Sequence, residues 1–186
     1  MPSGVDEAVG VGSRKWFVAV VNNNTEKAVQ ERLNKMNYET YVAKQEVIRV
    51  WKNGRKGKVD KVLIPSLVFI KCTEAERRNI VTFPFINKFM MNTARPVSGN
   101  ATRKFAILTQ KEIDTLKFML GQSEIPVSFV DTHCHVNGRV EVVDGSLKGL
   151  EGDVVSVAGD KSVVVEKIDV LGCAMVELDT ADVRML

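Results

Sequence analysis

Few residues in this chain are spaced for bond-making chemistry. His133-Cys134-His135 groups three metal-ligand types, but it lacks the paired, separated spacing of a zinc site and falls in a stretch that reads as a linker. No phosphate-cradling glycine loop, nucleophile elbow or HExxH segment is present, and the remaining carboxylates spread over expected helix surfaces and turns. The expectation is a protein that is no enzyme and carries no metal or cofactor.

Binding chemistry is better represented. Lys52, Arg55, Lys56, Lys58 and Lys61 crowd around Asn53-Gly54 with only Asp60 in opposition. Asn-Gly readily supplies the positive φ angles of a hairpin turn, so Val47 to Trp51 and Val59 to Ile64 are expected to pair as strands. A cationic finger of this kind can track a phosphate backbone; a merely solvated hairpin is the alternative.

Around the finger, Trp16 to Val21 is a short apolar run, as expected of a strand buried on both faces. Asn24 or Thr25 then caps a helix carrying Val29, Leu33 and Met36 on one stripe. Leu67 to Ile70 reads as a central strand, and Phe85 to Met91 as the last one. Thr73 with Glu76, and Thr109 with Glu112, make capping boxes for two further helices, the second with Ile113, Leu116 and Leu120 on one face. The order strand, helix, three strands, helix, strand, helix predicts an α+β sandwich with helices on a mainly antiparallel sheet.

Beyond residue 135 the pattern changes. Val140 to Val143, Val154 to Val157, Ser162 to Val165 and Ala174 to Leu178 are short strands between Gly and Asp turns, which predicts a small all-β barrel. The expected division is a flexible lead-in at 1–14, a first domain at 15–120, a linker at 121–135 and a second domain at 136–186. Charge divides the same way: residues 1–135 hold 21 Lys/Arg against 13 Asp/Glu, and 136–186 hold 5 against 10. The basic front suits nucleic acid or an acidic surface, and the acidic tail suits protein.

With 45% hydrophobic and 26% charged residues the composition is that of a globular protein. The longest apolar run, Trp16 to Val21, is far shorter than the roughly 20 residues of a membrane-spanning helix. Three scattered cysteines, Cys72, Cys134 and Cys173, fit free thiols in a reducing compartment. A cytoplasmic monomer with no membrane partner is expected.

The tail segment Gly138 to Val155 resembles the KOW motif of NusG proteins and some ribosomal proteins, with Gly145, Lys148, Gly149 and Gly152 at the motif's positions. Upstream, Lys15-Trp16-Phe17-Val18 is similar to the opening of the NusG amino-terminal domain, Ile64 to Ile70 to its Phe-Pro-Gly-Tyr-Val strand, and Arg95-Pro96-Val97 to its closing segment. Leu67, Ser66 and Ile64 depart from the family's usual Tyr, Gly and Phe. The basic finger and the Val-Asp-Gly-Ser-Leu-Lys-Gly segment look like the UpxY subgroup of specialised NusG paralogues, which antiterminate capsular polysaccharide operons.

That resemblance implies an amino-terminal α/β sandwich followed by an SH3-like KOW barrel. It also implies a factor that lays an apolar cavity on the clamp helices of RNA polymerase and promotes processive elongation. By family position the cavity residues are Trp16, Val20, Ile64, Pro65, Leu67, Phe69, Ile113 and Leu116, each of which is equally consistent with plain core. Because strand faces alternate, either Leu67 with Phe69 or Val68 with Ile70 is expected to face away from the helices. The nucleic-acid candidates are Lys52, Arg55, Lys56 and Lys58 on the finger. Arg77, Arg78 and Asn79 join them, on a helix that touches non-template DNA in RfaH-like relatives; nascent RNA is a further possible contact. The tail's partner is a ribosomal protein or another factor. Two rival functions follow: a housekeeping NusG coupling polymerase to Rho or the ribosome, and a KOW-type RNA-binding or ribosome-associated protein. The acidic tail argues against the second.

Overall fold

A computed structural model describes residues 12–93, 104–130, 137–158, 160–168 and 170–186. Arg95-Pro96-Val97, His133-Cys134-His135 and most of the expected lead-in lie outside the described residues.

The first unit runs β1 (Lys15–Val20), α1 (Glu26–Lys35), β2 (Glu39–Tyr41), β3 (Lys44–Val50), β4 (Lys56–Val62), β5 (Leu67–Cys72), α2 (Glu74–Ile80), β6 (Lys88–Phe89), β7 (Ile107–Leu108) and α3 (Gln110–Gln122). Strands β2, β5, β1 and β6 lie side by side in that order, β7 pairs with β1, and β3 pairs only with β4. All these pairings are antiparallel.

The central strands are apolar at successive positions because both sheet faces are covered. Phe17, Ala19, Val68 and Ile70 share a core with Val29 and Leu33 of α1 and Ile80 of α2. Trp16, Val18, Leu67 and Phe69 share the other core with Ile113, Leu116, Met119 and Leu120 of α3. The expectation that one side of β5 faces away from helices is therefore corrected: α3 closes the second face.

Local chemistry sets the helix ends. In both α2 and α3 the cap threonine, Thr73 or Thr109, accepts from the backbone of Glu76 or Glu112, and that glutamate accepts from the threonine's own N–H. α1 differs. Its N-cap Thr25 makes no side-chain cap bond, because its hydroxyl donates backwards to the Asn22 carbonyl at 2.6 Å. Asn37, at φ 65°, turns the chain out of α1, leaving Met36 47% exposed instead of on the buried stripe. Only Lys88–Phe89 of the expected Phe85 to Met91 strand pairs with β1.

The tail comprises β8 (Ser128–Val130), β9 (Gly138–Val142), β10 (Glu151–Ala158), β11 (Lys161–Ile168), β12 (Gly172–Asp179) and β13 (Val183–Met185). They form one antiparallel sheet in the order β13, β9, β10, β11, β12, β8. Where a closed barrel was expected, the described sheet has an open path, with β13 and β8 at its ends. β8 comes from the expected linker and pairs with β12. The apolar cluster beneath α3 continues unbroken into the tail core of Val140, Val142, Val164 and Val176.

Candidate functional site

The apolar candidates converge, but under cover. Trp16, Ile64, Leu67, Phe69, Ile113 and Leu116 are all 8% exposed or less and belong to the core beneath α3. The Trp16 indole N–H donates to Gln110 Oε1 at 2.8 Å, and Lys117 and Lys71 lie 5.3 and 5.7 Å from the Trp16 ring. Of the eight, only half-buried Val20 and exposed Pro65 escape burial. Half-buried Leu63, Met90 and Tyr41 also pack on this core. Sequence reasoning missed Tyr41, because a strand of three residues, β2, carries too little pattern to read. Its ring stacks on Phe69 at 6.0 Å, its hydroxyl has no hydrogen-bond partner among the described residues, and burial pushes it well above the usual tyrosine range.

The finger is the β3–β4 hairpin. Its ladder pairs Val47 with Val59, Ile48 with Lys58, Arg49 with Gly57 and Val50 with Lys56. The tip is closed by the Gly54 N–H donating to Trp51 O and the Trp51 N–H to Arg55 O, both at 2.9 Å. Gly54 takes φ 79°, as the Asn-Gly pair predicts. Lys52, Arg55, Lys56 and Lys58 are exposed. Lys58 pairs with Glu46 at 2.7 Å, a hydrogen bond and attraction that hold its amine above the ordinary lysine value. Asp60 is occupied by Lys44 at 2.7 Å and Lys27 at 3.4 Å, which hold its carboxyl below the usual range. Lys61 lies on the paired length of β4, opposite Gln45 and away from the tip.

Arg77, Arg78 and Asn79 part company. Arg77 is 7% exposed. Its guanidinium sits 3.7 Å from the Phe105 ring centre and 5.6 and 5.9 Å from those of Phe89 and Phe17, with Glu74 as its ion-pair partner. That caged side chain belongs to the core and is not available to nucleic acid. Arg78 and Asn79 remain exposed, Arg78 reaching Glu74 only at 3.8 Å.

In the tail, Gly145 (φ 82°) and Gly149 (φ 90°) occupy the left-handed turn between β9 and β10. A Cβ at Gly152 would stand 2.9 Å from the Val165 carbonyl oxygen, so that position admits no side chain without moving β11. Lys148 lines a groove of about 790 Å³ between α3 and the tail sheet, with Lys111, Phe118 and Glu166 among its other walls. Among the described residues, no three His, Cys, Asp or Glu side chains group as metal ligands, and no helix is long and apolar enough to cross a membrane.

The arrangement, a sheet buried between α1 and α2 on one side and α3 on the other with a basic finger standing off it, coincides with a known sequence pattern. The family described as transcription termination factor nusG matches residues 14–117. The chain belongs to the NusG family. Its match spans β1 to most of α3, so it includes every polymerase- and nucleic-acid-binding candidate above and ends before Lys148 and the tail glycines. Among solved structures, the chain is similar to NusG of Thermotoga maritima, from a study of its domain interaction. Identity is 17%, 95% of this chain and 99% of that chain are covered, and the TM-score is 0.48. It is also similar to the MjSpt4:Spt5 complex in conformation B, at 14% identity over 92% and 96% of the two chains, with a TM-score of 0.29. No curated relative matches the chain.

Proposed function

We propose that this NusG-family chain is a specialised transcription antiterminator that rides on RNA polymerase during elongation, at operons for polysaccharide biosynthesis. The observation that carries the reading is that the family match falls on the unit holding both the α3-side core and the cationic finger. In this reading Val20, Leu63 and Met90, at the exposed margin of that core, and exposed Pro65, near Leu63 in sequence, meet the polymerase clamp helices. Trp16, Ile64, Leu67, Phe69, Ile113 and Leu116 hold that margin in shape from beneath. A factor that binds the closed clamp tenfold better than the open one shifts their equilibrium by about 1.4 kcal/mol and needs no catalysis.

The finger and exposed Arg78 and Asn79 then face nucleic acid, either non-template DNA or nascent RNA. The tail acts as an SH3-like KOW domain, its turn shaped by Gly145, Lys148, Gly149 and Gly152, and its net negative charge favours a protein partner over RNA.

Capture of the purified chain on core RNA polymerase tests the reading. Aspartates at Leu67 and Phe69 would disrupt the core, so the informative variant is Val20→Glu with Pro65→Glu, checked for native circular dichroism. Retention of the native chain and loss in the variant is the expected result; no retention of the native chain sinks the proposal. Nascent-transcript profiling in a deletion strain separates the two NusG roles. Loss of promoter-distal signal confined to polysaccharide operons supports specialisation, and a genome-wide change moves the chain to housekeeping coupling with Rho or the ribosome.

A further inference from the structure

Trp51 has no part in either core and stands 40% exposed at the end of β3. Its placement is not loose. A Cβ built on Gly57 would fall 2.7 Å from the indole Cη2 and 2.8 Å from Cζ3, so the ring lies directly over the Gly57 backbone and depends on the missing side chain there. Arg49 is the cross-strand partner of Gly57. Alternation along the ladder sets Arg49, Trp51, Arg55 and Gly57 on one face of the finger.

From Val47 to Val59 the chain carries five cations, Arg49, Lys52, Arg55, Lys56 and Lys58, and no carboxylate. Among the described residues only Lys58 of these makes an ion pair, so Arg49, Lys52, Arg55 and Lys56 keep their full charge for a ligand. Asn53 Oδ1, the one side-chain acceptor at the tip, is already taken by the Arg55 N–H at 3.1 Å.

We propose that Trp51, seated on Gly57, is a stacking platform for one unpaired base of a single-stranded nucleic acid, with Arg49 and Arg55 on the same face and Lys52 at the tip holding the flanking phosphates. A held aromatic face beside unpaired cations is the chemistry of sequence-tolerant single-strand binding. A duplex, whose bases are stacked internally, offers no face to the indole. A site that takes a base face and phosphates uses groups common to DNA and RNA, so the platform takes both. The proposal rests on the reading of the finger as the element that faces nucleic acid.

Titration of the full-length chain with oligo-dT, oligo-U and a duplex of equal length, followed by tryptophan fluorescence and anisotropy, tests it. The chain has two tryptophans, and Trp16 is 2% exposed, so quenching reports on Trp51. Expected are quenching by both single strands, similar affinities for the two, and weaker duplex binding. Trp51→Ala should lower single-strand affinity about tenfold, with Trp51→Phe retaining most of it. Gly57→Ala, which leaves every cation and the indole in place, should lower it several-fold by unseating the ring. Arg49→Gln with Arg55→Gln should flatten the log-affinity against log-salt slope by about 1.4.

Equal affinities for Trp51→Ala and the native chain, tighter binding of duplex than of single strand, or Trp51-dependent binding to anionic phospholipid vesicles in place of oligonucleotides would each overturn it. Polymerase capture is run on the same variants. Native chain retained on polymerase with no oligonucleotide binding ends the platform and spares the elongation reading; Trp51-dependent oligonucleotide binding without polymerase retention does the reverse.

Discussion

The backbone N–H of Val127 donates to the side-chain oxygen of Gln45, 82 positions earlier, at 2.9 Å. The Gln45 Nε2 in turn donates to the Ser123 and Ile125 carbonyls at 3.2 and 2.8 Å. Gln45 is 5% exposed and Val127 4%, so one buried side chain ties the segment leaving α3 to the base of the finger. Gln45→Ala strands the buried Val127 N–H, whereas the carbonyls of half-buried Ser123 and exposed Ile125 can turn to solvent. An unfolding midpoint in urea lowered by the equivalent of about 2–3 kcal/mol is expected; a change within about 0.5 kcal/mol would mean the segment is held elsewhere.

Ser66 holds φ 64°, and its N–H donates at 2.6 Å to Glu26, a carboxylate 3% exposed. A left-handed residue with a Cβ costs about 1–2 kcal/mol, and glycine returns about 0.5–1 kcal/mol of that through its looser unfolded chain. Ser66→Gly should therefore raise stability by about 0.5 kcal/mol. Glu26→Ala, which removes the acceptor, should lower it by about 2 kcal/mol. Calorimetric melting of both variants checks the pair, and a less stable Ser66→Gly would show that the hydroxyl carries more than the backbone.

Arg77, caged by Phe17, Phe89 and Phe105 and paired with Glu74, is expected to act on stability alone. Arg77→Ala should lose about 2 kcal/mol, from packing against the rings, because Glu74 is half exposed and keeps its solvent. Arg77→Lys should recover little, because an ammonium cannot stack its plane on Phe105. Arg78→Ala should show the opposite profile, with unchanged melting and a weaker nucleic-acid contact. Melting and oligonucleotide affinity measured on both arginines decide the assignment.

These positions mark where the sequence is readable. The α2 and α3 starts follow from four side chains, Thr73, Glu76, Thr109 and Glu112, within one turn each, and the finger follows from Asn53-Gly54; local chemistry suffices for both. β6 lies inside the expected Phe85 to Met91 strand but shrinks to the two residues that meet β1, and β7, also of two residues, exists only because β1 offers its free edge, so no window of sequence contains it. The layering was hidden for a related reason. Leu67 to Ile70 is apolar throughout, which signals burial on both faces without saying what covers each. Arg77 looks like any surface arginine, since Phe17, Phe89 and Phe105 gather around it from distant segments. In the sequence Trp51 stands only as the end of the expected Val47 to Trp51 strand; its seating on Gly57 required the folded hairpin.

Glu166 of β11 lines the groove facing α3. Burial lifts its carboxyl above the usual range, Lys111 and Arg139 pull it down, and Asp153 and Glu112 push it up. The folded chain thus holds this proton more tightly than the unfolded chain. Ionisation then opposes folding: the penalty is absent below the unfolded value of 4.5, grows as pH rises through the raised folded value, and is complete above it. Glu166→Gln removes the penalty. It should melt higher than the native chain near neutral pH, with the difference vanishing below about pH 4, where both carry a neutral side chain. Melting curves of the two proteins at both pH values check this. A variant that melts lower at neutral pH would show that attraction from Lys111 and Arg139 outweighs burial, and that the groove is held together by charge.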